Sequence, residues 1–213
     1  MARDTFEHDL HEVETALVQM HTAVDRALTQ ALRAFDQAYR TSAQSLIIGD
    51  ADINERRSTV EEAALRLIAR QQPLTRDLRL CIAAIAIAAD LERIGDYAVG
   101  IAKLVLRDSL DRPLLPEVHL LATEVRGLLQ RSITAIVARD ATAGDALARA
   151  DDSVDAQYEA LLRQSSTLIA QDPGRSRHLL YTLFVAHNLE RIADRAVNIA
   201  ERAAWIATGR RHK

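Results

Sequence analysis

The chain has 213 residues, 48% hydrophobic but only 4% aromatic, with a formal net charge of −3. That length suffices for one large domain or two of about 100 residues each, and the charge provides no whole-molecule field to draw in nucleic acid or anionic lipid. The only cysteine, Cys81, cannot form an intramolecular disulfide. It lies in LCIAAIAIAA, where the expectation is a small buried hydrophobe. At about ten residues this apolar run is too short for a bilayer, which needs roughly 20. The opening MARDTFEHDLHEVE is acidic and lacks the apolar core of a secretory signal, so the expectation is a soluble, cytoplasmic protein. The basic RRHK at residues 210–213 reads as a solvated tail.

Few glycines and prolines among many Ala, Leu, Arg and Glu predict long helices and no strands. Phe6, Leu10, Val13, Leu17, Met20, Val24, Leu28, Leu32 and Phe35 recur every three or four residues, which predicts a helix over about 5–39. Thr41 and Ser42 are candidate caps for a second helix running through Gly49 to about residue 70, where QQP ends it. A third follows over about 74–107, and DSLDRPLLP at 108–116 reads as a linker. Three more helices are predicted over about 117–139, 142–170 and 176–208, with a break at QDPG.

The second three repeat the first. DLERIGDYAVGIAK at 90–103 returns as NLERIADRAVNIAE at 188–201, ARQQP corresponds to IAQDP, and GDADIN corresponds to ADDSVD. Long helices joined by short turns lie antiparallel. The fold class is therefore all-α, two tandem three-helix bundles, with expected domains 1–110 and 111–213.

Glu92 with Asp96, and again Glu190 with Asp194, place two like charges one turn apart on a helix side, which costs a few tenths of a kcal/mol unless compensated. The preceding helix carries Asp50 with Asn54 in the first half, and Asp151 with Asp155 in the second. If the helices bring these sets together, each bundle presents several carboxylate oxygens, which suit hard cations and iron; zinc prefers His or Cys, which this face lacks by sequence. The plain alternative is a solvated face trimmed by neighbours such as Arg93 and Lys103.

The doubled ERIGD and ERIAD, each followed by A-V-x-I-A, together with QQPLTRDLR at 71–79, are similar to the PhoU family of phosphate-transport regulators over essentially the whole chain. The resemblance implies cytoplasmic, often homodimeric proteins of two three-helix bundles whose E(D)xxxD motifs hold iron or zinc clusters. Those motifs fall here on Glu92, Asp96, Glu190 and Asp194. Tyr97 stands where the family commonly has His, Gly100 where it has Asn, and Asn188 where the first copy has Asp90. The implied function is negative regulation when phosphate is plentiful, exerted on the phosphate ABC transporter through its ATPase subunit and on a PhoR-type sensor kinase. The membrane is reached through partners only, and no nucleic acid is involved. A metal-independent helical adaptor for another phosphate carrier is the alternative.

Catalysis is not expected. A carboxylate-bridged di-iron bundle needs Glu-x-x-His, and the position three after Glu92 is Gly95, that after Glu190 is Ala193. His178 and His187, nine residues apart, point in different directions, and the chain has no phosphate-binding Gly-rich loop.

Overall fold

A computed structural model of the chain describes residues 2–107 and 113–210, with side chains from residue 6 onward. These residues form α1 (Ala2–Asp36), α2 (Arg40–Ile48), α3 (Asp50–Gln71), α4 (Thr75–Arg107), α5 (Pro116–Ala138), α6 (Ala143–Gln171), a 3-10 turn (Pro173–Arg175) and α7 (Ser176–Thr208). No strand occurs among the described residues. The expected all-α tandem of six long helical segments is present, with α2 and α3 as one segment broken at Gly49.

That break corrects the single second helix read from the sequence. Glycine costs about 1 kcal/mol in a helix interior, and here the Gly49 carbonyl accepts from the Asp52 amide at 3.0 Å, a tighter i to i+3 bond. The caps expected at Thr41 and Ser42 are also displaced. Ala38 takes a left-handed φ of 50° that turns the chain, and Tyr39 caps α2 without a side-chain bond. The Ser42 carbonyl and hydroxyl instead both accept from the Gln30 amide, at 3.0 and 3.3 Å. Of the linker read over 108–116, residues 108–112 lie outside the described residues, as do 211–213 of the basic tail. The described remainder leads through extended Leu115 into Pro116, whose fixed φ and missing N–H suit a helix start.

In the first half α1 and α3 pack on α4, with α2 beside them; in the second, α5 and α6 pack on α7. The halves meet where α4 lies on α7, supplemented by a smaller α1 to α5 seam. The apolar stripe of α1 is buried from Val13 to Phe35, with Phe6 and Leu10 packed against it. Cys81 is fully buried, and burial, with Asp77 nearby, pushes its thiol up to about 11, as expected of an inert core residue. Arg side chains finish two helix ends: Arg40 donates to the Val105 and Leu106 carbonyls of α4, and Arg79 to the Ile206 carbonyl of α7. Cations there also oppose the negative end of the helix dipole. Among the described residues no helix is long and apolar enough to cross a membrane.

Candidate functional site

The acidic residues of α3 and α4 are brought to one side by a close helix approach. A Cβ at Gly95 would meet Ile53 Cδ1 at 2.9 Å, so the bare backbone of α4 lets α3 settle against it. Next to this contact Glu92 is about three-quarters buried, Asp50 is partly buried, and Asn54 and Asp96 are exposed. The Asn54 amide donates to the Asp50 carbonyl at 3.3 Å. The compensating charge comes from α3 itself: Arg57 Nε donates to Glu61 Oε1 at 2.8 Å, and Arg57 Nη1 lies 3.5 Å from Glu92 Oε1. Glu61 first, then Glu92, holds the Arg57 guanidinium above its ordinary range against a modest desolvation.

The second face differs at the corresponding positions. Asp151 and Asp155 on α6 and Glu190 and Asp194 on α7 lie within electrostatic reach of one another. Burial, then Asp155, Asp194 and Glu190, pushes the Asp151 carboxyl up to about 6. Asp155 is raised by burial and then Asp194, and Glu190 by burial and then Asp194. Asp151 Oδ1 and Glu190 Oε2 are shielded from solvent and accept no hydrogen bond. A partly buried carboxylate without donors favours its protonated form or a cation. The position aligned with Arg57 is Tyr158, whose ring lies 5.9 Å from that of His187. His187 Nδ1 is 3.5 Å from Glu190 Oε2.

The second face offers carboxylate oxygens, two of them orphaned, with an imidazole at its edge, a set that suits iron or another hard cation and admits zinc through the nitrogen. Among the described residues, no group of three His, Cys, Asp or Glu side chains forms a ready-made metal cage. Binding a metal there would require these carboxylates to draw closer than the structure places them. The first face fits poorly, because a guanidinium already lies against Glu92.

The structure thus brings Asp151, Asp155, Glu190 and Asp194 together, and places Asp50, Glu92 and Asp96 on a face that Arg57 partly neutralises. Arg57 was missed by sequence reasoning, and His187 was considered only as a partner for His178 and set aside. His187 corrects the reading that the acidic face has no nitrogen donor, and its i, i+3 spacing to Glu190 was the available signal. Arg57 was signalled by its alignment with Tyr158. The trimming expected from Arg93 and Lys103 comes from Arg57 instead, because α3 faces that side of α4. The exchange of Asp90 for Asn188 costs no ligand: Asp90 is buried in the α4–α7 seam, bound by Arg202 at 2.9 Å and approached by Arg195 at 3.4 Å, and Asn188 donates to the Phe184 carbonyl. Tyr97 likewise serves the seam, with the Arg191 guanidinium 5.9 Å over its ring. His178 is a packing residue beside Phe35. A hollow of about 320 Å³ between Ile82 on α4 and Arg202 and Trp205 on α7 touches neither acidic face.

Two copies of a three-helix unit, each carrying an acidic side on its second and third segments, define a class of tandem-bundle helical proteins with broad exposed faces. The chain belongs to the PhoU family: it matches the PhoU domain over residues 17–105 and 118–203. It is 30% identical to a phosphate-specific transport system accessory protein PhoU homolog of Clostridium acetobutylicum, over 99% of this chain and 97% of that one. The PhoU protein of Escherichia coli, also named a phosphate-specific transport system accessory protein, is 31% identical over 96% of this chain and 86% of its own. The crystal structure of the phosphate transport system regulatory protein PhoU from Streptococcus pneumoniae superposes with a TM-score of 0.87 at 28% identity, covering 98% of this chain and 99% of that one. These relatives are named as accessory and regulatory proteins, and none of those names describes an enzyme.

Proposed function

We propose that this chain is a non-enzymatic accessory regulator of phosphate uptake. It works in the cytoplasm as a homodimer, restraining a phosphate ABC transporter through its ATPase subunit and holding a PhoR-type sensor kinase off when phosphate is plentiful. Membership of the PhoU family, over the full length and both repeats, supports the transport role. The physical support is the second acidic face, where Asp151 Oδ1 and Glu190 Oε2 are shielded and unbonded amid mutually repelling carboxylates. Asp151, Asp155, Glu190 and Asp194, with His187 as the nitrogen donor, would hold an iron or zinc ion there, which would supply the counter-charge to these carboxylates. The α6–α7 surface they line is the one the transporter or kinase would meet. Asp50, Glu92 and Asp96 form the matching surface of the first bundle.

The test is a phosphate-starvation reporter in phosphate-rich medium, in cells lacking this gene and supplied with the native chain or one carrying Glu190→Ala and Asp194→Ala. Silencing by the native chain and a rise of at least about fivefold with the folded variant is the expected result. Equal silencing by both chains contradicts a role for the second acidic face in signalling. A native chain that never silences the reporter contradicts the regulatory reading itself. The ion pairs of Arg57 with Glu61 and Glu92 favour a second reading at the first face alone, a metal-independent docking surface for a phosphate carrier.

A further inference from the structure

We infer that Arg57 is a built-in cation of the first acidic face, standing where a bound metal would stand, so that this chain takes up metal on its second bundle only. The inference rests on the metal reading of the second face given above and concerns how the repeated sites have diverged.

Three aligned differences carry it. Where α6 has Tyr158 and Leu162, α3 has Arg57 and Glu61, joined at 2.8 Å. Both members of that pair are partly exposed, and the Arg57 guanidinium spans from Glu61 on its own helix to Glu92 on α4. Where α6 offers the Asp155 carboxylate, α3 offers the Asn54 amide, which donates to the Asp50 carbonyl one turn earlier. Glu190 Oε2 has only the His187 imidazole at 3.5 Å, a group that can ligate a metal, whereas Glu92 has the permanently charged Arg57 guanidinium at the same distance. A divalent ion at the first face therefore lacks the carboxylate that Asp155 offers, finds Glu61 already engaged by Arg57, and must displace or sit beside that guanidinium. Two cations a few ångströms apart repel strongly in a partly desolvated site, and a guanidinium cannot escape by losing its proton.

The two solutions have different dependence on conditions. The first face carries its counter-charge covalently and is indifferent to chelators. The second face depends on an ion supplied from outside. One repeat is thereby constant and the other conditional, although both descend from the same helical unit.

The experiment counts Mn²⁺ bound to the full-length protein by electron paramagnetic resonance during titration. The chains compared are native, Glu92→Gln, Glu190→Gln, and the double variant Asn54→Asp with Arg57→Tyr, which gives the first face the second face's residues at those positions. Far-ultraviolet circular dichroism confirms that each is folded. Expected are a native affinity lowered at least tenfold by Glu190→Gln and changed less than twofold by Glu92→Gln, and an additional bound population in the double variant. That population must disappear when Glu92→Gln is added. Equal weakening by Glu92→Gln and Glu190→Gln, or no additional ion in the double variant, overturns the inference while leaving the metal reading in place. Absence of uptake by the native chain overturns the metal reading and this inference together.

Discussion

At the scale of the residue, one carbon atom helps decide how α3 meets α4. The sequence showed Gly95 only as the residue that breaks a Glu-x-x-His pattern; the structure shows it as the floor under Ile53, whose Cδ1 and Cγ2 would stand 2.9 and 3.2 Å from an added Cβ. At the aligned positions the second repeat has Ala193 and the smaller Val154, both fully buried. Gly95→Ala gains about 1 kcal/mol of helix propensity and incurs about 1–3 kcal/mol of overpacking. We expect a net loss of about 1 kcal/mol in denaturant titration. Ile53→Val removes the nearer methyl, so the double variant should recover the native midpoint, with a positive coupling between neighbours in the cycle. A gain in stability from Gly95→Ala alone would show that Ile53 swings aside freely and that the glycine is not required for packing. This contact was illegible in the sequence because it depends on the register of two antiparallel helices, which composition and periodicity leave open.

At the scale of the element, the α1–α5 seam joins the two halves through polar groups that the apolar stripe of α1 gave no hint of. Arg126 of α5 clasps both oxygens of Asp25 at 2.8 Å, and Arg139 reaches Glu14 at 3.0 Å. His21 lies one turn before Asp25 and is nearly inaccessible. Burial lowers its pKa from the ordinary 6.5; the Asp25 charge and a hydrogen bond to the Leu129 backbone oppose this only in part. A histidine held neutral in the fold binds fewer protons than it does unfolded, so its contribution is present above pH 6.5 and is lost as pH falls from there toward the folded value. His21→Met removes that titration while keeping bulk. Between pH 7.5 and 5, the native chain should lose more stability than the variant, measured as the difference between their urea unfolding free energies at each pH. Because the other titrating groups are common to both chains, parallel curves would mean that His21 is free to protonate in place.

At the scale of the whole molecule, the count of helical segments, their order and the tandem repeat were legible, because 3.6-residue periodicity and the duplicated motif are local facts. How the repeats dock was not. Leu91, Ile94, Ala98, Ile101 and Val105 follow the spacing of a single apolar stripe on α4, and all are buried, but so are Gly95, Val99, Ala102 and Leu104, because α7 also packs on this helix. Asp90, clasped by Arg195 and Arg202 of the other repeat, is buried for the same reason. A helix buried on several sides has no stable existence in one half alone, since losing the partner would expose its apolar residues at about 25 cal/mol per Å². The expected domains 1–110 and 111–213 should therefore unfold as one cooperative unit. Leu67→Ala tests this: Leu67 is 1% exposed on α3, and among the described residues α3 does not pack on α7, which carries the sequence's only tryptophan, Trp205. Truncation of a buried leucine costs about 2–5 kcal/mol. If the seam couples the halves, Trp205 fluorescence and far-ultraviolet circular dichroism will both move to the same lower urea midpoint. A Trp205 transition that stays at its native midpoint while the dichroism splits in two would show that the second bundle stands without the first, and that the α4–α7 seam is a docking contact between independent folds.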